Sequence, residues 1–439
     1  MRIAAAFAVA LSAAPPAHAF CGFFVGKAEG QLFNKSSQVA IVRDGERTVL
    51  TMSNDFRGEI TDFALVVPVP SVLTRDQIHV GERKLLERLD AYSAPRLVEY
   101  HDGDPCAVRR VYEPMLMARS KAAPMNGVAS MASDKALGVT VEAAYTVGEY
   151  DIVLLSATES QGLEIWLRES GYLIPPRASA ALAPYIRQQM KFFVAKVNIK
   201  EQRKGGYQEL RPIQIAFESP RFMLPIRLGM ANADGPQDLI VYMITRNGGV
   251  ESSNYQTVKI PSDVELPEFV QREFGEFYKA AFAKAWNEHG RRALFTEYVW
   301  NMGLCDPCAA PPLQQDELKQ LGVFWLDGQQ GANRMGGVPL TLTRLHVRYD
   351  AEHFPEDLMF QQTGDQQPFQ GRYVLRHPFR GEMSCEAGRA YREELAARRR
   401  SEAKTLSSLT GWDMARIRDR MGPDAPSDKP EPWWKELWH

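Results

Sequence analysis

Val39-Ala40-Ile41-Val42-Arg43-Asp44-Gly45-Glu46-Arg47-Thr48-Val49-Leu50-Thr51-Met52 reads as a β-hairpin. Two strand-forming runs, Val39 to Arg43 and Thr48 to Met52, flank Asp44-Gly45, a dipeptide suited to the positive φ angles of a tight turn. Thr61 to Val69 follows as a third strand. Its unbroken apolar run, Phe63-Ala64-Leu65-Val66-Val67, predicts burial on both faces, and Pro68 and Pro70 are expected to end it. Val139 to Val147, Tyr150 to Ser156, Phe192 to Ile199, Ile213 to Phe217 and Leu239 to Thr245 carry further strand patterns. Short helices interrupt them: Glu82 to Leu89 puts Leu85, Leu86 and Leu89 on one face, and Glu159 to Ser170 is closed by Gly171. This order fits antiparallel sheets with inserted helices better than regular βαβ units. The predicted fold class is α+β, with an antiparallel β-rich core, inserted helices and a helical C-terminal tail.

The clearest helix lies between Pro267 and Gly290, where Val270, Phe274, Tyr278, Phe282 and Trp286 recur every four residues. With nothing polar interleaved to orient a ligand, that stripe reads as core rather than as a cofactor box. Leu294 to Trp300 runs on as a strand or short helix. Residues 20–390 are expected to form one α+β domain, with two subdomains as an alternative. Residues 113–138, rich in Ala, Ser and Met, read as a mobile excursion. Met115, Met117, Met125 and Met131 there suit an adaptable surface or soft copper, although a loop with no ligand explains them as well. Residues 391–439 read as a charged helical tail with a Pro- and Trp-rich end.

At the N-terminus, Met1-Arg2 precedes the apolar run Ile3 to Ala14 and then Ala17-His18-Ala19, the layout of a secretory signal peptide cleaved before Phe20. That run is far shorter than the roughly 20 apolar residues of a spanning helix. No later stretch supplies them, so no transmembrane segment is expected in the mature chain. A periplasmic or secreted location follows, and with it an oxidising environment for Cys21, Cys106, Cys305, Cys308 and Cys385. Most of the five should be paired, with one left over and the connectivity open. A bridge from Cys21 or Cys106 to the distal three would close a long loop.

Cys305-Asp306-Pro307-Cys308 admits three readings: a staple, a redox couple or half a metal site. Ala309-Ala310-Pro311-Pro312 is a poor helix start, and no βαβ pattern precedes the motif, against a thioredoxin-type site. Zinc would need a second cysteine or histidine pair at suitable spacing. In Thr341 to Tyr349, strand alternation places Leu345, Val347 and Tyr349 on one face and Arg344, His346 and Arg348 on the other. Two arginines flanking a histidine suit an anionic ligand or a partner's carboxylate, while a polar face with local ion pairs is the plainer reading. His353, with Asp350, Glu352, Glu356 and Asp357 nearby, suggests a divalent ion but lacks a recognised ligand spacing. Neither a G-x-S-x-G elbow nor a Walker-type loop is present, so no catalytic residue, metal ligand or cofactor is assigned.

The chain has 439 residues, 45% of them hydrophobic and 24% charged, with a formal net charge of -2, a balance that favours neither nucleic acid nor an anionic membrane as partner. Phe20-Cys21-Gly22, Thr61 to Pro70, Leu163 to Pro175 around Trp166 and Gly171-Tyr172, Cys305 to Cys308 and Leu342 to Tyr349 occur here in combination. From Phe20 to Ala390 the chain thereby resembles the bacterial domain of unknown function 2330 family. The resemblance implies a secreted bacterial protein and transfers no catalytic residue. The expected function is an extracytoplasmic, disulfide-stabilised binding or structural protein with an unknown protein or small-molecule partner. Thiol-disulfide exchange at the cysteine pair and metal binding are the alternatives.

Overall fold

Gly45 takes φ +62° at the tip of a hairpin whose strands, Ser37–Asp44 and Arg47–Ser53, pair from Gln38 with Ser53 to Asp44 with Arg47. The structure, a computed structural model, describes residues 23–26, 33–34, 37–53, 56–57, 63–107, 140–157, 160–170, 172, 178–198, 210–233, 235–304, 306, 310–326 and 337–425. Cys21, Cys305, Cys308, the excursion at 113–138 and the Trp-bearing end lie outside the described residues. The chain divides into two compact units: Met1–Ser93, Gly138–Val258 and Arg291–Phe369 in one, Ala94–Leu137, Lys259–Gly290 and Gln370–His439 in the other.

In the first unit the hairpin sits inside the largest sheet. Its main path runs Gln256–Lys259, Ala293–Asn301, Thr341–Tyr349, Gln237–Thr245, Ser37–Asp44, Arg47–Ser53, Ile213–Glu218, Ile78–Val80. A second sheet is ordered Phe23–Gly26, Phe63–Val69, Lys191–Val197, Tyr150–Ser156, Thr140–Val147, with antiparallel pairing throughout. Strand alternation gives each sheet two apolar faces, and each finds a different partner. Val39, Ile41, Leu50 and Met52 of the first sheet share a core with Leu65, Val67, Ile152, Leu154 and Phe193 of the second. Behind the first sheet, Ala40, Val42 and Ile244 pack with Leu85, Leu86 and Leu89 of the helix Arg83–Ser93. Behind the second, Ala64, Val66 and Phe192 pack with Leu163 and Leu167 of Ser160–Glu169 and with Leu182 and Tyr185 of Ala178–Arg187. The unit is therefore layered helix, sheet, sheet, helix pair, and the apolar run at Ala64 to Val67 is buried on both faces, as its lack of alternation requires.

Two differences from the sequence reading have physical causes. The strand Phe63–Val69 continues through Pro68, because Phe23–Gly26 pairs only with residues Phe63 to Val66 and no ladder donor is needed on that side at Pro68. Pairing is also not wholly antiparallel, since Gln237–Thr245 lies parallel to Ser37–Asp44. Parallel neighbours need long crossovers, which strand periodicity does not reveal.

The second unit is built on a three-stranded parallel sheet, Val264–Leu266, Arg372–His377, Arg96–His101. The aromatic stripe resolves into a 3-10 turn, Glu268–Glu273, and the helix Phe274–Glu288, which buries Phe277, Phe282 and Trp286. Beyond Cys385, Glu386–Thr410 forms a helix that buries Ala403 and Leu406 in the same core as Phe277 and Tyr373. It ends at Gly411 in the left-handed conformation (φ +72°) that a C-cap favours.

Phe193→Ala, which removes a fully buried ring between the two sheets, is expected to cost about 3–5 kcal/mol in urea unfolding. Ile165→Ala, at a side chain 52% exposed, should change stability by no more than about 0.5 kcal/mol.

Candidate functional site

The strand Thr341–Tyr349 alternates as its sequence predicts. Leu345, Val347 and Tyr349 are buried in the inter-sheet core, and Arg344, His346 and Arg348 face the helix side. Both neighbouring strands contribute to that polar face. On Gln237–Thr245, Asp238 lies opposite Arg348, Ile240 opposite His346 and Tyr242 opposite Arg344. On Ala293–Asn301, Phe295 pairs with His346 and Tyr298 with Arg344, so Glu297 is the additional residue of a β-bulge. Plain alternation from Phe295 already puts Glu297 on the face of His346, and the bulge brings Tyr298 onto that face as well. With one residue to spare in the ladder, the Glu297 carboxylate sits between Arg344 and His346 while Tyr298 takes the place opposite Arg344.

The result is a continuous charge ladder. Arg344 Nε donates to Glu297 Oε2 at 2.5 Å and Arg344 Nη1 to Asp90 Oδ1 at 2.7 Å, Asp90 being supplied by the covering helix Arg83–Ser93. The Tyr242 hydroxyl donates to the same Asp90 oxygen at 2.9 Å, and the Arg344 guanidinium lies 5.4 Å from the Tyr242 ring centroid. His346 Nδ1 lies 2.7 Å from Glu297 Oε1, and its Nε2 lies 3.3 Å from Asp238 Oδ1. Arg348 grips Asp238 with both edges of its fork, at 2.7 and 2.8 Å. The Glu297 and Arg344 side chains are only 1% and 7% exposed.

Burial and pairing compete at each group. Burial opposes ionisation of Asp238, but hydrogen bonds from His346 and Arg348 outweigh it and hold the carboxyl well below the usual carboxylate range. Burial likewise disfavours a charged His346, yet Glu297 and Asp238 outweigh it and raise the imidazole above its usual value. An imidazole facing a carboxylate at each nitrogen donates at both only when protonated, and in that state it is neither a general base nor a metal ligand. Desolvation above all drives the Tyr242 hydroxyl well above its usual value, so it stays a neutral donor. Chemically, the arrangement ties three strands and one helix together.

Of Cys305 to Cys308, only Asp306 is described. Its Oδ2 accepts from the Tyr298 hydroxyl at 3.0 Å, and Tyr298 meets Tyr92 of the covering helix edge-on at 5.6 Å. In the second unit, Cys106 and Cys385 form a disulfide across 279 residues of sequence, with Cα atoms 5.9 Å apart. His353 and Asp350 bond to each other at 2.8 Å, whereas Asp357 accepts from the Tyr185 hydroxyl at 2.5 Å and from Ile226 N at 2.9 Å. Among the described residues, no group of three His, Cys, Asp or Glu side chains is placed to hold a metal ion.

Sequence reasoning named the three cations but not their carboxylates. Asp90, Asp238 and Glu297 come from three separate elements. The one local hint was a lone acid in the apolar run Leu294 to Trp300.

Residues 15–361 match the model of a family described as an uncharacterized protein conserved in bacteria, DUF2330. No curated protein and no solved structure matches the chain. Among the described residues, no helix is long and apolar enough to cross a membrane.

Removing the bulge carboxylate with Glu297→Ala leaves Arg344 to Asp90 alone and His346 to Asp238 alone, and is expected to cost about 3 kcal/mol in chemical denaturation. Because the folded state raises the His346 value, wild type should out-stabilise His346→Gln most below about pH 6.5, the unfolded imidazole value. That margin should shrink as pH rises through the folded value. A margin that stays flat in unfolding curves from pH 5.5 to pH 9 would exclude a charged His346.

Proposed function

The chain belongs to the DUF2330 family of uncharacterized bacterial proteins, and from that premise we propose that it works outside the cytoplasm as a disulfide-stapled binding protein. The Cys106–Cys385 bond carries the reading, since protein disulfides persist in oxidising compartments and the N-terminus has the layout of an export signal. With those two cysteines paired, Cys21, Cys305 and Cys308 remain, and only one further bond is possible among them. Either Cys305 and Cys308 close on each other, or Cys21 takes one of them. In both cases one thiol is left over.

The Arg344, His346 and Arg348 face serves this protein as internal framework, because its donors already meet Asp90, Glu297 and Asp238. A binding protein needs a scaffold that holds its shape without catalysis, and the layered first unit supplies one. Ligand binding then falls to a surface other than the ladder.

Non-reducing peptide mass spectrometry of protein isolated from cells tests the proposal. It should find a mature N-terminus at Phe20 and a cross-linked Cys106–Cys385 peptide. An uncleaved chain with all five cysteines alkylated in the native state would overturn it. Turnover of insulin disulfides, or stoichiometric zinc or copper in the purified protein, would replace it with the redox or the metal reading. Cys385→Ser should lower stability by about 2–5 kcal/mol relative to the oxidised wild type.

A further inference from the structure

At the rim of the core shared by the two sheets of the first unit lies a cavity of about 200 Å³. Its inner wall is Leu50 and Ile215, opposite each other in adjacent strands, with Phe217 two residues further on. Met190, from the turn between Ala178–Arg187 and Lys191–Val197, and Met223 complete the apolar lining. Leu50, Ile215 and Met190 are buried, so the cavity reaches below the surface into the packed layer. An apolar space of about 150 Å³ is enough to take a benzene-sized ligand.

Pro68, Pro70, Pro220 and Pro225 make up the rest of the non-polar lining. Proline has no N–H and a fixed φ, so these four positions donate no backbone hydrogen bond and hold their shape without a ligand. The one charged residue of the lining is Arg221, which is exposed. Its Nη1 donates to Gln188 Oε1, a neutral amide that leaves the positive charge unanswered, and its backbone N donates to Ser219 Oγ at 3.1 Å. No carboxylate lines the cavity, and Arg221 makes no ion pair among the described residues. Glu218, three residues before it, is held instead by Arg47 at 3.2 Å.

An apolar hollow with one cation at its opening suits a ligand that is apolar at one end and anionic at the other. A single guanidinium fork matches a planar carboxylate, whereas a phosphate dianion would need donors from several directions. We propose that this cavity binds a small apolar monocarboxylate, its hydrocarbon body against Leu50, Met190, Ile215, Phe217 and Met223 and its carboxylate on Arg221. The two methionines adapt their shape to that body, and the prolines fix the frame around it. The inference rests on the binding reading above and gives it a site and a ligand class.

Isothermal titration calorimetry on the whole mature protein at pH 7 and low salt tests it, with 3-phenylpropionate, its neutral counterpart 3-phenylpropanol, and acetate as probes. 3-Phenylpropionate should bind most tightly, 3-phenylpropanol more weakly, and acetate not measurably. Arg221→Ala should weaken 3-phenylpropionate by about fivefold or more, the loss of a charge-assisted contact partly open to water, and leave 3-phenylpropanol unchanged. Arg292→Ala, at an exposed arginine of the same unit outside the cavity, should leave both unchanged. Three results overturn the inference: no heat with any probe at millimolar concentration, 3-phenylpropanol or acetate binding as tightly as 3-phenylpropionate, or equal losses in the two variants. Such results would leave the disulfide map and the mature N-terminus untouched, so failure here is distinguishable from failure of the extracytoplasmic reading.

Discussion

Glu297 is the residue on which the first unit turns. Three cationic side chains project from the middle of a sheet onto the face that a helix must cover, and buried cations without partners would keep that face open. Glu297, the extra residue of a bulge in the neighbouring strand, sets a carboxylate between Arg344 and His346. Asp238 completes the neutralisation from the other neighbouring strand, and Asp90 does so from the covering helix. Three cations then meet three carboxylates, and the helix lays Leu85, Leu86 and Leu89 on the adjoining sheet surface. A hydrophobic strip would close the layers without such matching. The ion pairs make closure depend on register, since a one-residue slip would send the cations to the opposite face.

The four layers of the first unit follow from the same rule applied to apolar residues. Each sheet is apolar on both sides, so each needs a neighbour on both sides. The two sheets supply each other with one, and the helices supply the outer two. The polar ladder occupies a place in one outer layer where side chains are bonded rather than merely packed. This is why that region reads as framework, although it holds the histidine and arginines that would catch the eye as a site.

The second unit uses different devices. Its sheet is small and parallel, and its helices bury one core against it. The Cys106–Cys385 bond joins two of the sequence segments that build it, a staple whose value rises with the length of chain it closes. Ion pairs recur here too: Arg376 meets Glu265, Arg398 meets Asp102, Arg399 meets Asp424 and Arg420 meets Glu273.

The sequence by itself determined what depends on neighbours along the chain. The Asp44-Gly45 turn, the two-faced burial of Ala64 to Val67, the helical stripe around Phe277 and Phe282, and the alternation that separates Arg344, His346 and Arg348 from Leu345, Val347 and Tyr349 all follow from local periodicity and turn chemistry. The tertiary structure alone decided what depends on pairing between distant segments. It placed Gln237–Thr245 parallel to Ser37–Asp44, inserted Glu297 as a bulge and chose Cys106 for Cys385. Periodicity states which face of a strand a residue occupies, but not what the face meets. That choice is made when burial energy and charge pairing are satisfied across the whole unit at once, and Asp90, Asp238 and Glu297, scattered along the chain, become one site only then.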